Sequence, residues 1–149
     1  MRLEDEIYQK EFKSGYHKAV VNIIYTCNWI LNHQERILKP AGLTPQQYNI
    51  LRILRGQYPN PSSIKLIRER MLDKMSDASR LVEKLRIKGL VERTECSQDR
   101  RKVDILITQK GLDILKKLDK GSDRINTLLS GLNEKEIAQL NRLLDDLRG

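Results

Sequence analysis

The chain has 149 residues, 39% of them hydrophobic and 32% charged, and a formal net charge of +8. That is one domain's length, enough to bury a core without disulfides or metals, and the composition excludes a disordered chain. No apolar run is long enough to span a bilayer, so no membrane partner is expected.

The N-terminus, Met1-Arg2-Leu3-Glu4-Asp5-Glu6, is acidic and lacks the apolar stretch of a signal peptide, so the expected location is the cytoplasm. Cys27 and Cys96 match no metal-ligand spacing and are expected to stay as thiols there. The positive charge is uneven. Residues 62–110 hold 13 basic against 8 acidic side chains, whereas residues 111–149 hold 7 of each. This middle excess suits a polyanion, and it equally suits a basic surface kept for solubility; charge alone leaves both readings open.

In chain order, a short helical lead is expected over 4–13, broken at Ser14-Gly15. A long helix follows from Tyr16 to Leu38, with Val20, Ile23, Ile24, Cys27, Ile30 and Leu31 at helical spacing. Cys27 lies in that apolar stripe and reads as a buried, inert thiol. Pro40 and Gly42 end the helix. Thr44-Pro45-Gln46-Gln47 is a capping-box start for a second helix with Tyr48, Leu51 and Leu54 inward. After Pro59-Asn60-Pro61, Ser62 or Ser63 can cap a short helix that buries Ile64, Ile67 and Met71.

The next helix is expected from an Asp73 cap to Lys88, closed by Gly89. Met75, Ala78, Leu81, Val82 and Leu85 share its apolar arc, and Ser76, Arg80 and Glu83 lie opposite. Ile87 also falls on the outer side, which amphipathicity does not explain. The period then changes. Val91–Glu95 and Lys102–Thr108 read as strands around the polar tip Cys96-Ser97-Gln98-Asp99-Arg100-Arg101. Thr108 can cap a helix carrying Leu112, Leu115, Leu118, Ile125, Leu128 and Leu129, bent at Gly121-Ser122. Asn133 and Glu136 form a second capping box before a last helix with Ile137, Leu140, Leu143, Leu144 and Leu147. The fold class is thus mainly α with a small β-hairpin, in winged helix-turn-helix order.

Several blocks resemble the MarR family of bacterial regulators: Leu43-Thr44-Pro45-Gln46-Gln47-Tyr48-Asn49-Ile50-Leu51, Ser79-Arg80-Leu81-Val82-Glu83-Lys84-Leu85, Lys88-Gly89-Leu90-Val91-Glu92-Arg93, Asp99-Arg100-Arg101 and Leu106-Ile107-Thr108-Gln109-Lys110-Gly111. Each is weak alone, and the ordered set is specific. The resemblance implies a single MarR-like domain over 1–149. Its winged helix-turn-helix lobe would cover 44–108, with dimerisation helices in 1–43 and 109–149. It further implies a homodimer on double-stranded DNA, with the 73–88 helix in the major groove and the hairpin at the minor groove. Arg101 would then enter the minor groove and Asp99 would steady the wing by pairing with Arg93 or Arg101.

The chemistry of the residues agrees with those roles. An arginine gains from the potential of a narrow minor groove, and Arg80 can fork onto a guanine edge, unless it only pairs with Asp77 or Glu83. Ser76, Asp77 and Ser79 can read base edges or bind phosphate, Lys65, Arg68, Lys84 and Lys102 suit phosphates, and Arg100 is a further DNA-binding candidate. Trp29, His33 and Arg36 share a helical face and can meet a small aromatic or anionic effector, or else Trp29 packs in a dimer core with the other two at the surface. The family's peroxide-sensing cysteine falls near Val20 in this register, so neither cysteine matches it. His17 and His33 have no nucleophile or carboxylate at catalytic spacing and no phosphate-cradling glycine loop is found, so no enzyme activity and no cofactor are expected. Two rivals stand beside a DNA-binding regulator: a winged-helix protein-interaction module, and a ligand-binding protein with a vestigial DNA face.

Overall fold

The computed structural model describes residues 1–95, 103–120 and 127–149, which divide into two units, Met1–Asp113 and Ile114–Gly149. In the first unit a single turn, α1 (Leu3–Glu6), precedes the long α2 (Gly15–Leu38), which the Ser14 hydroxyl caps by accepting from the His17 amide at 3.1 Å. The lead is one turn long, not the longer helix expected over 4–13. Two polar contacts hold it to α2. Lys18 Nζ donates to Glu4 at 2.5 Å, and the Tyr25 hydroxyl donates to Glu6 at 2.6 Å.

A 3-10 turn over Lys39–Ala41 and a left-handed Gly42 (φ 67°) reverse the chain into α3 (Pro45–Gln57). The expected capping box is complete. Thr44 Oγ1 accepts from the Gln47 amide and Gln47 Oε1 from the Thr44 amide, both at 3.2 Å. Ser63, not Ser62, caps α4 (Ile64–Arg70). Ser62 instead makes a two-bond antiparallel bridge to Ile105, with N–O distances of 2.8 and 2.9 Å. Helix α5 spans Ala78–Ile87, and β1 (Val91–Glu95) pairs antiparallel with β2 (Val103–Ile107) in the register Val91–Ile107 to Glu95–Val103. The core joins one face of each element: Ile50, Leu51 and Leu54 of α3, Ile67 and Met71 from α4 and its end, Val82 and Leu85 of α5, and Val91, Ile105 and Ile107 of the hairpin.

The junction after α5 is tightly specified. Gly89 adopts φ 71°, where a Cβ is disfavoured, and closes α5 with a Schellman pair: Leu90 N–H to Leu85 C=O at 3.0 Å and Gly89 N–H to Arg86 C=O at 2.8 Å. The Gly89 carbonyl accepts from the Thr108 hydroxyl at 2.8 Å, and that hydroxyl also accepts from the Gly111 amide at 3.1 Å, capping α6 (Gln109–Asp119) as expected. Lys88 Nζ donates to the Gly42 carbonyl and, at 3.0 Å, to Gln47 Oε1. Among the described residues of the second unit, Leu115 is buried, and α7 (Glu134–Arg148) begins at the expected Asn133–Glu136 capping box.

Two apolar faces stay open to solvent in the protomer. On α2 these are Val20, Ile23, Ile24 and Leu31, with Cys27 exposed among them; on α7 they are Leu140, Leu143 and Leu147. Cys27 is therefore not the buried thiol expected from its stripe, because no described element of the first unit covers that face.

A Cβ on Gly111 would stand 2.5 Å from the Leu90 carbonyl oxygen and 2.7 Å from Ile107 Cγ1, both parts of the packed junction. Overpacking of this kind costs about 1–3 kcal/mol. Gly111→Ala is thus expected to lower the urea midpoint with an unchanged denaturant slope, measured by circular dichroism at 222 nm.

Candidate nucleic-acid interface

The turn before α5 departs from expectation. Asp73 does not cap the helix. Its carboxylate folds a local turn instead, accepting from the Met75 amide at 3.0 Å and the Ser76 hydroxyl at 2.6 Å. Those two bonds, the Ser76 hydroxyl first, hold the Asp73 carboxyl below the usual aspartate range. The cap is Asp77, whose Oδ1 accepts from the Arg80 amide at 3.0 Å. Helix α5 is therefore shorter than the 73–88 span expected, and Ser76 lies outside it with its hydroxyl proton committed to Asp73. Met75, expected in the apolar arc, precedes the helix and is exposed; Ala78, Val82 and Leu85 of that arc are buried and Leu81 is half-buried.

The outer face of α5 carries Ser79, Arg80, Lys84 and Ile87, all exposed. Arg80 and Lys84 are four residues apart and so adjacent on that face. Neither side chain is engaged in an ion pair or hydrogen bond among the described residues. Of the two anions on the helix, Asp77 is occupied with capping. Glu83 takes a bidentate pair from Arg86, with Nε–Oε2 at 3.0 Å and Nη2–Oε1 at 2.8 Å. That pair raises the Arg86 pKa and, with a weaker contribution from the charge of Arg93, lowers that of Glu83. The alternative in which Arg80 is only paired within its helix is therefore not what the structure has: the arginine held by Glu83 is Arg86. Sequence reasoning passed over Arg86, although the i, i+3 spacing from Glu83 was its signal.

Arg93 stands exposed on β1 and lines an open cleft of about 500 Å³ with Glu83, Arg86, Thr94, Glu95 and Val103. The wing residues Asp99, Arg100, Arg101 and Lys102, and Cys96 with them, lie outside the described residues. Lys65 of α4 is paired with Glu69 at 3.9 Å, both well exposed, an arrangement of little energetic weight.

The trio on α2 divides. The Trp29 and His33 rings meet at 4.7 Å between centroids, tilted by 51°, and His33 Nδ1 lies 3.3 Å from the Trp29 carbonyl oxygen. Trp29 also lines a separate cavity of about 270 Å³ between α1 and α2, with Leu3, Glu6, Asn22 and Tyr25. His33 and Arg36 do not line it. Met1 and Thr26 complete the lining, and the Glu6 carboxylate, bonded to Tyr25, is its one charged side chain.

Three helices, α3 to α5, followed by a two-stranded hairpin pinned to the α4 lead at Ser62, define a winged helix-turn-helix protein. The MarR family model matches residues 41–102. The HTH-type transcriptional repressor IacR of Pseudomonas putida is 28% identical over 139 residues, 93% of this chain and 79% of that one. A MarR transcription factor from Planctomyces limnophilus is 31% identical, covering 91% of this chain and 98% of its own, with a TM-score of 0.70. A MarR variant from E. coli, in complex with operator DNA, shares the fold at 22% identity, with 99% of each chain covered and a TM-score of 0.75. The chain belongs to the MarR family and is a transcriptional regulator of that family. No helix among its described residues is long and apolar enough to cross a membrane.

The cap assignment separates a structural from a contacting role for Asp77. Removing an N-cap acceptor costs about 1 kcal/mol. Asp77→Ala is expected to lower stability by that amount and Asp77→Ser to retain most of it, both read from thermal unfolding of the free protein.

Proposed function

We propose that the protein is a homodimeric, ligand-responsive repressor that binds double-stranded DNA in the cytoplasm through α5 and the hairpin. The observation that carries this reading is the outer face of α5: Arg80 and Lys84 stand exposed and, among the described residues, unpaired while both nearby carboxylates are engaged. An arginine so placed can make the bidentate guanine contact that reads sequence, and the lysine suits a phosphate. Ser79, Ser76 and the Asp77 cap are proposed to lie at the same surface. Arg100, Arg101 and Lys102 are proposed to extend it from the wing, with Asp99 and Arg93 steadying the hairpin. The E. coli relative bound to operator DNA and the Pseudomonas repressor support the reading by analogy.

The dimer is proposed to form through the open apolar faces of α2 and α7, from the arms over 1–43 and 109–149 around a lobe over 44–108. Two-fold symmetry then calls for a pseudo-palindromic site with half-sites roughly 34–36 Å apart.

Binding of the purified protein to its own upstream DNA and to scrambled duplex, across a salt series, tests this. If about 6–10 phosphates are met, affinity should fall by roughly 10³–10⁵ between 50 and 200 mM salt. Arg80→Ala should cost about 1–3 kcal/mol and relax the preference at one base pair, whereas Lys84→Ala should weaken all duplexes alike and reduce the salt slope by about one. Arg101→Ala should weaken binding as well. A folded dimer that binds no duplex even at low salt would transfer the assignment to a protein-interaction module.

For the effector, the cavity beside Trp29 and Tyr25 supports a small aromatic guest, and Glu6 at its wall favours a neutral or hydrogen-bond-donating one over an anion. Trp29 is the single tryptophan, so its fluorescence reports on the site directly. Titration with a neutral phenol should quench it saturably, and Tyr25→Phe, which removes the bond to Glu6, should weaken that response. Equal quenching by benzoate would overturn the charge preference.

A further inference from the structure

The segment joining α4 to α5 distributes its groups in the reverse of the usual order for a surface turn. Its polar groups are spent on the frame. The Leu72 amide donates to Asn49 Oδ1 at 2.9 Å, Lys74 Nζ to the Glu69 carbonyl at 2.5 Å, and the Met75 amide and Ser76 hydroxyl both to Asp73. Its apolar side chains are given to water: Leu72 is 86% and Met75 93% exposed. Single exposed hydrophobics are common and carry no meaning alone. Here two lie within four residues, on a backbone fixed at several points, directly ahead of the helix proposed to read DNA.

Met75 stands two positions before the Asp77 cap, at the end of α5 from which a recognition helix reaches base edges. The major-groove edge offers one apolar group for such a side chain, the C5-methyl of thymine. An unbranched thioether with three rotatable bonds adapts to that methyl without demanding one approach. The fixed turn also lowers the ordering cost of the contact, because the backbone beneath Met75 is set before DNA arrives.

We propose that Met75 is a specificity-determining residue that reads a thymine methyl in each half-site, beside the polar contacts of Arg80. This inference rests on the DNA-binding reading of α5, and its test separates the two.

Duplexes are selected from a random library with the full-length protein. Each thymine of the selected site is then replaced in turn by deoxyuridine, which removes the methyl and leaves the hydrogen-bonding edge intact. The wild type should lose roughly three- to fivefold in affinity at one thymine per half-site, the worth of a single buried methyl. Met75→Ala should bind the thymine duplex more weakly and no longer distinguish it from the deoxyuridine duplex at that position, and Met75→Leu should restore the distinction. Tyr58→Ala, at an exposed residue where α3 ends, should leave the discrimination as it is in the wild type.

Specific binding with no loss at any deoxyuridine position would overturn the Met75 assignment while leaving DNA binding intact. So would discrimination that survives in Met75→Ala. Failure to select any duplex would overturn the DNA-binding reading itself, and the Met75 inference with it.

Discussion

The relative direction of α5, the hairpin and the start of α6 is fixed where the chain passes through the left-handed Gly89. Four contacts converge there: the Schellman closure from Leu90 and Gly89, the Thr108 hydroxyl on the Gly89 carbonyl, the Thr108 amide on the Leu90 carbonyl at 3.1 Å, and the bare face of Gly111 against that same carbonyl. None is strong alone; a neutral hydrogen bond contributes about 1 kcal/mol net. Their effect is geometric. On the proposed docking, the helix and the hairpin depend on one angle to reach neighbouring grooves, and this junction sets it.

The electrostatics of the α5 face follow a second economy. Free carboxylates on the proposed DNA face would repel phosphates, yet α5 needs an acceptor at its N-terminus and carries Glu83 midway. Asp77 is turned onto the backbone and Glu83 onto Arg86, so that both anions are satisfied within the helix and the outward field is left to Arg80 and Lys84. Arg93, across the cleft, adds to the same balance by acting on Glu83 from the strand.

Most of the fold was legible because its signals are local. The Thr44 and Asn133 capping boxes, the Gly89 stop and the alternation of Val103, Ile105 and Ile107 each depend on a few neighbouring residues, and each stands where the pattern put it. The failures were of two kinds. At Asp73 two caps competed four residues apart, and the choice of Asp77 turned on Asn49 and Ser76 holding the intervening segment in a turn, a tertiary matter for Asn49. That decision also moved Met75 from the core to the surface. At Cys27 the period was right and the conclusion wrong, since periodicity tells which residues share a face but not whether the same chain covers it. The proposed wing residues lie outside the described ones and rest on family resemblance alone, and the role of Arg86 required seeing which of two arginines Glu83 reaches.

The clasp formed by Lys88 ties distant parts of the chain to one ammonium group. Its Nζ holds the Gly42 carbonyl, at the foot of the long α2, and the buried Gln47 side chain, which is also half of the α3 capping box. Lys88 is itself the last residue of the α5 termination. The corner between α2 and α3 therefore cannot shift without either carrying the far end of α5 along or breaking charge-assisted bonds, worth more than neutral ones. In mechanical terms the corner after the long helix and the far end of α5 share a pivot.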